Sequence, residues 1–167
     1  QHPPASVQEA ARTYDAALLQ AYEKLASLDP LTLEQKQQCR LPLRSGGRGL
    51  RSQERLAPAA WVASWAQCLG EVLRRSGLDC LEDLDTCQLP LAAACRDALA
   101  SLPGPAAGDR DDAELPTWRE LAWEPWKKLQ RVLCKQLDRK KHTALLNSLD
   151  AEGHALLRFS GGRRGLP

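Results

Sequence analysis

The chain contains no methionine and no isoleucine, and Phe, Trp and Tyr together make up only 5% of its 167 residues. Without isoleucine, and with few valines and threonines, it lacks the β-branched side chains that fill pleated surfaces, and no apolar–polar alternation runs for a strand's length. A sheet is therefore not expected. The three histidines, His2, His142 and His154, stand apart from the cysteines, and no two cysteines show the two-residue gap of a zinc or redox motif. Neither a closed metal site nor a cofactor is expected. No apolar run approaches the ~20 residues of a membrane span, and no basic-then-apolar leader opens the chain. The missing methionine leads to the expectation of a processed chain or of a piece of something longer.

What is present suits a globular domain, alone or with a tail. Apolar content is 43% and charged content 26%, both ordinary for a packed core under a solvated surface. Five of the aromatic residues are tryptophan. The net charge of +2 conceals an uneven distribution. Residues 1–35 are acidic, with two basic against five acidic side chains, and 36–75 basic, with eight against two. Residues 76–120 are acidic again, three against ten, and 121–167 basic, ten against four. Two basic blocks thus flank an acidic middle, a pattern that suits either a polyanionic partner or mutually neutralising solvated faces. The six cysteines are Cys39, Cys68, Cys80, Cys87, Cys95 and Cys134. Cys68 and Cys95 fall on apolar helical stripes, where a thiol behaves as a small hydrophobe. The six are read as mostly reduced core residues, and the compartment as intracellular, nuclear or cytoplasmic. Their even number leaves disulfides open.

Helical periodicity runs through most of the chain. Ser6 with Glu9 reads as a capping box before Val7, Ala10, Ala11, Tyr14, Leu18, Ala21, Leu25 and Leu28, an apolar stripe that Asp29-Pro30 ends. Thr32 with Gln35 reads as a second capping box, for a short helix reaching Cys39. Pro42 and the glycines at 46, 47 and 49 then break regular structure. Ser52 is placed to cap a helix that either begins or kinks at Pro58 and buries Val62, Trp65, Ala66, Leu69, Val72 and Leu73, with Trp61 beside them. Gly77 suits its C-cap. A short helical turn is expected at 80–84. Pro90 suits the first position of a helix burying Leu91, Ala94, Cys95, Ala98, Leu99 and Leu102. Residues 103–116 read as a Pro/Gly linker with acidic charge. Beyond them come Trp118, Leu121 and Trp123, then a long basic helix from Glu124-Pro125 with Trp126, Leu129, Leu133 and Leu137 inward, and a last helix carrying Leu149, Leu156, Leu157 and Phe159. The fold expected is all-α, an irregular antiparallel bundle of five to six helices. Its partition is a helical domain over 1–102, including an Arg/Gly loop at 40–51, a linker at 103–116, and basic helices over 117–167 packing on the same domain.

The chemistry-bearing residues are cations rather than catalysts. The loop holds Arg44, Gly46, Gly47, Arg48, Gly49 and Arg51, with Arg55 following. Glycines allow backbone N–H groups to approach an oxyanion, a helix N-terminus adds partial positive charge, and guanidinium groups supply paired donors. The loop lacks the lysine and spacing of a nucleotide-binding loop. The plainer alternative is a helix connector whose arginines pair with acids. Lys127, Lys128, Arg131, Lys135 and Arg139–Lys141 form a second cationic stretch, suited to a phosphate backbone or to a solvated helix face. The tryptophans read as core more than as base-stacking surfaces. Asp109, Asp111 and Asp112 sit in the linker, with no rigid frame to make them a catalytic set.

Several of these residues carry a resemblance. Leu41-Pro42, Gly46-Gly47-Arg48-Gly49-Leu50-Arg51-Ser52, Ala57-Pro58-Ala59-Ala60 and Ala63-Ser64-Trp65-Ala66 resemble the segment following the polymerase core in reverse transcriptase-like proteins of non-LTR retrotransposons, as found in microalgal and protist genomes. At Arg48 that family more often has leucine. Ala155-Leu-Leu-Arg158 with Ser160-Gly-Gly162 resembles a stretch further along such proteins. The resemblance implies a thumb-and-linker region without the catalytic palm. The family's Tyr/Phe-x-Asp-Asp turn is absent, since no aromatic residue stands two before Asp111. A non-catalytic module contacting RNA or DNA backbone is the first expectation. A structural or adaptor subunit binding protein partners through helix faces is the second, and a secreted disulfide-linked bundle the third.

Overall fold

A computed structural model describes residues 3–77, 90–102 and 128–149. Among these the protein is an all-α helical bundle, with five α-helices, one 3-10 turn and no strand. The helices are α1 (Pro4–Leu25), α2 (Leu33–Cys39), α3 (Gln53–Ser76), α4 (Pro90–Ser101) and α5 (Leu129–Ser148), and the 3-10 turn is Leu43–Ser45. The expected turn at 80–84, the linker at 103–116, the element with Trp118, Leu121 and Trp123, the start of the basic helix at Glu124-Pro125 with Trp126, and Leu156, Leu157 and Phe159 of the last helix lie outside the described residues; Lys128, just before α5, and Leu149, just after it, are described.

Local chemistry explains most of the helix ends. Thr32 caps α2 by accepting from the Gln35 N–H at 3.3 Å, and the Gln35 side chain accepts from the Thr32 N–H at 2.8 Å. The reciprocal capping box is thus in place. Pro90 opens α4, where its missing N–H is no loss. Gly77 follows the last residue of α3 in the left-handed region, at φ 66°. Helix α1 departs from expectation. It starts at Pro4, and Ser6 lies inside the first turn with its hydroxyl donating to the Pro3 carbonyl at 2.8 Å, so Ser6 is not the N-cap. Its C-terminus closes with Leu28 N–H on the Glu23 carbonyl and Ser27 N–H on the Lys24 carbonyl, Ser27 taking the left-handed conformation at φ 50°. This is the Schellman arrangement with serine in the glycine position. Helix α3 runs through Pro58 rather than beginning there.

The described residues fall into two units: those of Gln1–Gln8 with Arg55–Leu137, here the tryptophan unit, and those of Glu9–Glu54 with Asp138–Pro167, here the loop unit. The core of the tryptophan unit joins Ala59, Trp61, Val62, Leu69 and Leu73 of α3 to Ala92, Cys95 and Ala98 of α4 and to Leu129, Leu133 and Cys134 of α5. Each leucine fully withdrawn from water contributes about 1.5–3 kcal/mol. Trp61 is buried and meets Trp65 edge to face, ring centroids 6.3 Å apart. The core of the loop unit is smaller, with Leu41 and Leu145 buried against Leu146 and Leu149.

Helix α1 buries a different face from the one its apolar stripe suggests. Asp15 and Leu19 are buried, whereas Tyr14, Leu25 and Leu28 are exposed. Asp15 on the buried face accepts from Ser52, Gln53 and Glu54 at the start of α3, so a polar contact, not the apolar stripe, marks the inward side.

The four described cysteines form no disulfide. Cys68, expected inside, is exposed on α3, whereas Cys39, Cys95 and Cys134 are buried. Burial pushes the Cys95 thiol up to about 12. At pH 8 its thiolate fraction is then about a thousandfold below that of an exposed thiol. Native labelling with a thiol reagent, read by peptide mapping, should modify Cys68 within minutes and leave Cys95 untouched until denaturant is added. Equal labelling of the two would contradict this packing.

Candidate functional site

The Arg/Gly loop forms because its backbone bonds to itself. Cys39 ends α2, and its carbonyl accepts from both Arg48 N–H, at 3.3 Å, and Leu50 N–H, at 3.0 Å. The Leu41 carbonyl accepts from Gly49 N–H at 2.8 Å, the Pro42 carbonyl from Ser45 and Gly47, the Leu43 carbonyl from Gly46, and the Gly49 carbonyl from Arg51. The Gln38 side-chain amide donates to the Gly46 carbonyl at 3.1 Å.

Each glycine has a structural task. Gly46 closes the 3-10 turn at φ 76°, and Gly49 turns the chain at φ 75°, a region that disfavours a Cβ. Gly47 is pressed against Leu41: a Cβ there would lie 2.0 Å from the Leu41 carbonyl oxygen and 2.3 Å from its carbon. The N–H groups from Gly46 to Arg51 all donate to carbonyls within the segment. The backbone cradle for an oxyanion, expected from the glycines, is therefore directed inward.

The N-terminus of α3 is occupied as well. The Asp15 carboxylate, buried on α1, accepts from the Ser52 hydroxyl at 2.5 Å, from Gln53 N–H at 2.8 Å and from Glu54 N–H at 3.4 Å. Ser52 thus holds the N-cap position, but the anion satisfying the helix donors arrives from another helix. Nearby, Arg12 and Glu54 pair at 2.6 Å on the surface. Arg51 donates through Nη2 to the buried Asp138 of α5 at 2.6 Å. Neighbouring positions 51 and 52 therefore fasten α5 and α1 to the start of α3, all within the loop unit.

The expected cationic residues divide as follows. Arg44, Gly46, Gly47, Arg48, Gly49 and Arg51 belong to the loop unit, and Arg55, Lys128, Arg131 and Lys135 to the tryptophan unit. Lys127 lies outside the described residues. Arg44 and Arg48 are exposed, as are Lys140 and Lys141 on α5, and none of the four makes an ion pair among the described residues. Lys128, Arg131 and Lys135 are likewise exposed. Arg51 is committed to Asp138. Beneath the loop, burial pushes the Cys39 thiol up, and the nearby Arg48 cation partly offsets that rise.

The two residues that organise the loop unit, Asp15 and Asp138, were not read from the sequence as functional. Both carried a signal. Asp15 interrupts an otherwise apolar helical face, and Asp138 is the one acid in the basic stretch 127–141. An acid in either setting points to a buried partner. Among the described residues no group of three His, Cys, Asp or Glu side chains is placed to hold a metal ion, and no helix is long and apolar enough to cross a membrane. Comparison with known proteins finds no matching family model, no matching curated protein and no matching solved structure.

Proposed function

We propose that the chain is a non-catalytic helical module that contacts the phosphate backbone of RNA or DNA through cationic side chains of the loop unit, and that it derives from the post-polymerase region of a retroelement reverse transcriptase. The supporting observation is the joining of two basic stretches that are distant in sequence. Arg51 with Asp138, and Leu41 with Leu145, bind the loop to the middle and end of α5. Arg44, Arg48, Lys140 and Lys141 then stand exposed on one unit. The motif from Leu41 to Ala66 supports the retroelement origin.

With the loop N–H groups engaged internally, contact rests on guanidinium and ammonium tips. Such contact reads charge, not base sequence. It also releases counterions, so affinity falls with salt with a log–log slope of about −0.9 per phosphate neutralised on duplex DNA. Titrating the full chain with labelled RNA and duplex DNA at two ionic strengths should show this fall. Arg44→Ala combined with Arg48→Ala should flatten the slope by up to about 2 and leave the denaturation midpoint unchanged. Binding indifferent to both salt and substitution would remove the proposal.

A second reading, a structural or adaptor subunit, is favoured by a different observation. Leu25, Leu28, Leu33 and Leu43 of the loop unit are all exposed, Leu25 by 88%, and large apolar side chains open to water suit a protein partner.

A further inference from the structure

We infer that the exposed apolar stripe of α1 is a homodimer interface, on which α1 of a second copy packs antiparallel. Helix α1 is apolar on two adjoining faces. One packs within its own chain and buries Leu19 alongside Asp15, with Leu18 and Tyr22 half-buried. The other carries Ala10, Tyr14, Ala17, Ala21 and Leu25, every one exposed, Tyr14 by 55% and Leu25 by 88%. These residues recur at steps of four, three, four and four, the spacing of a helix seam made for another helix.

The distribution of sizes along the seam selects the occupant. Ala17 lies at its centre. A two-fold axis there sets Ala17 against Ala17 of the second copy, Tyr14 beside Ala21 of the second copy, and Leu25 beside Ala10. Each large side chain meets a small one, so the seam is its own complement. A parallel pairing would oppose tyrosine to tyrosine and leucine to leucine and leave gaps at the alanines.

Charge agrees with this direction. Glu9 and Lys24 are exposed on the same flank of the stripe, near opposite ends, and make no ion pair among the described residues. Antiparallel packing brings Glu9 of each copy to Lys24 of the other, twice over. The contact is isologous and closes at two subunits. It uses none of the cations assigned to nucleic acid, so it holds or fails independently of the proposed function.

The test is sedimentation equilibrium of the full chain, in reductant to suppress disulfides through exposed Cys68, with Ala17→Glu and Ala17→Lys as variants. Ala17 is exposed on its own chain, so both variants should keep the wild-type circular dichroism. Wild type should show a concentration-dependent dimer. Each variant alone, opposing like charges at the axis, should weaken dimerisation by on the order of a hundredfold. An equal mixture of the two should recover it. A wild-type chain that stays monomeric, which would give the stripe to another protein, overturns the inference. So does an Ala17→Glu variant that dimerises as readily as wild type.

Discussion

Replacing Gly47 with alanine should lower the stability of the loop unit by about 3 kcal/mol or more. The added Cβ would meet the Leu41 backbone at 2.0 and 2.3 Å and the Leu41 Cβ at 2.6 Å. None of these atoms is the end of a flexible side chain. Relief requires moving Leu41, whose carbonyl holds Gly49 N–H and whose side chain is buried against Leu145. Gly49→Ala provides the control. Its φ of 75° strains an alanine, but the nearest atom to the new Cβ is Leu43 Cγ at 3.9 Å, so the loss should be about 1–2 kcal/mol. Urea denaturation, with hydrogen exchange of amides 46–51, would separate the two. If Gly47→Ala proved no worse than Gly49→Ala, the close packing of the loop on Leu41 would be wrong.

Asp15→Ala should cost about 3 kcal/mol, because it removes a cap and strands its donors together. Loss of an N-cap costs about 0.5–2 kcal/mol, and a buried donor left without an acceptor adds about 1–3 kcal/mol. The stranded groups are the Ser52 hydroxyl and the N–H groups of Gln53 and Glu54. Asp15→Asn keeps one oxygen acceptor and should lose about half as much. Ser52→Ala removes only one donor and should be milder still. Chemical denaturation of the three variants gives the order directly. Asp15→Ala as mild as Ser52→Ala would mean that the carboxylate does not hold the helix.

Much of the fold was legible because it rests on neighbours in sequence. The Thr32–Gln35 box, Pro90 at the head of α4, Gly77 past the end of α3, and the apolar face of α3 are each set within a few residues. What the sequence concealed depends on contacts between distant residues. Nothing near Asp15 announces that its partners lie 37–39 positions away, so the apolar stripe of α1 was assigned to the core and Asp15 was not. Cys68 failed similarly: its helix has a buried face, and the residue stands just off it. The Arg/Gly loop lies between α2 and α3, but glycine spacing does not reveal where its N–H groups point. The same spacing serves a phosphate cradle or a chain folded onto its own carbonyls. Residues 9–54 and 138–149 fall in one unit, a grouping that only contact between distant positions can show.

Arg51 and Ser52 bear on how the molecule can evolve. Two consecutive positions are anchored to separate helices, one to Asp138 and the other to Asp15. An insertion or deletion at this junction preserves one anchorage only by displacing the other. Homologues should therefore vary freely in the turn after Leu25 while retaining a constant count of residues through this joint.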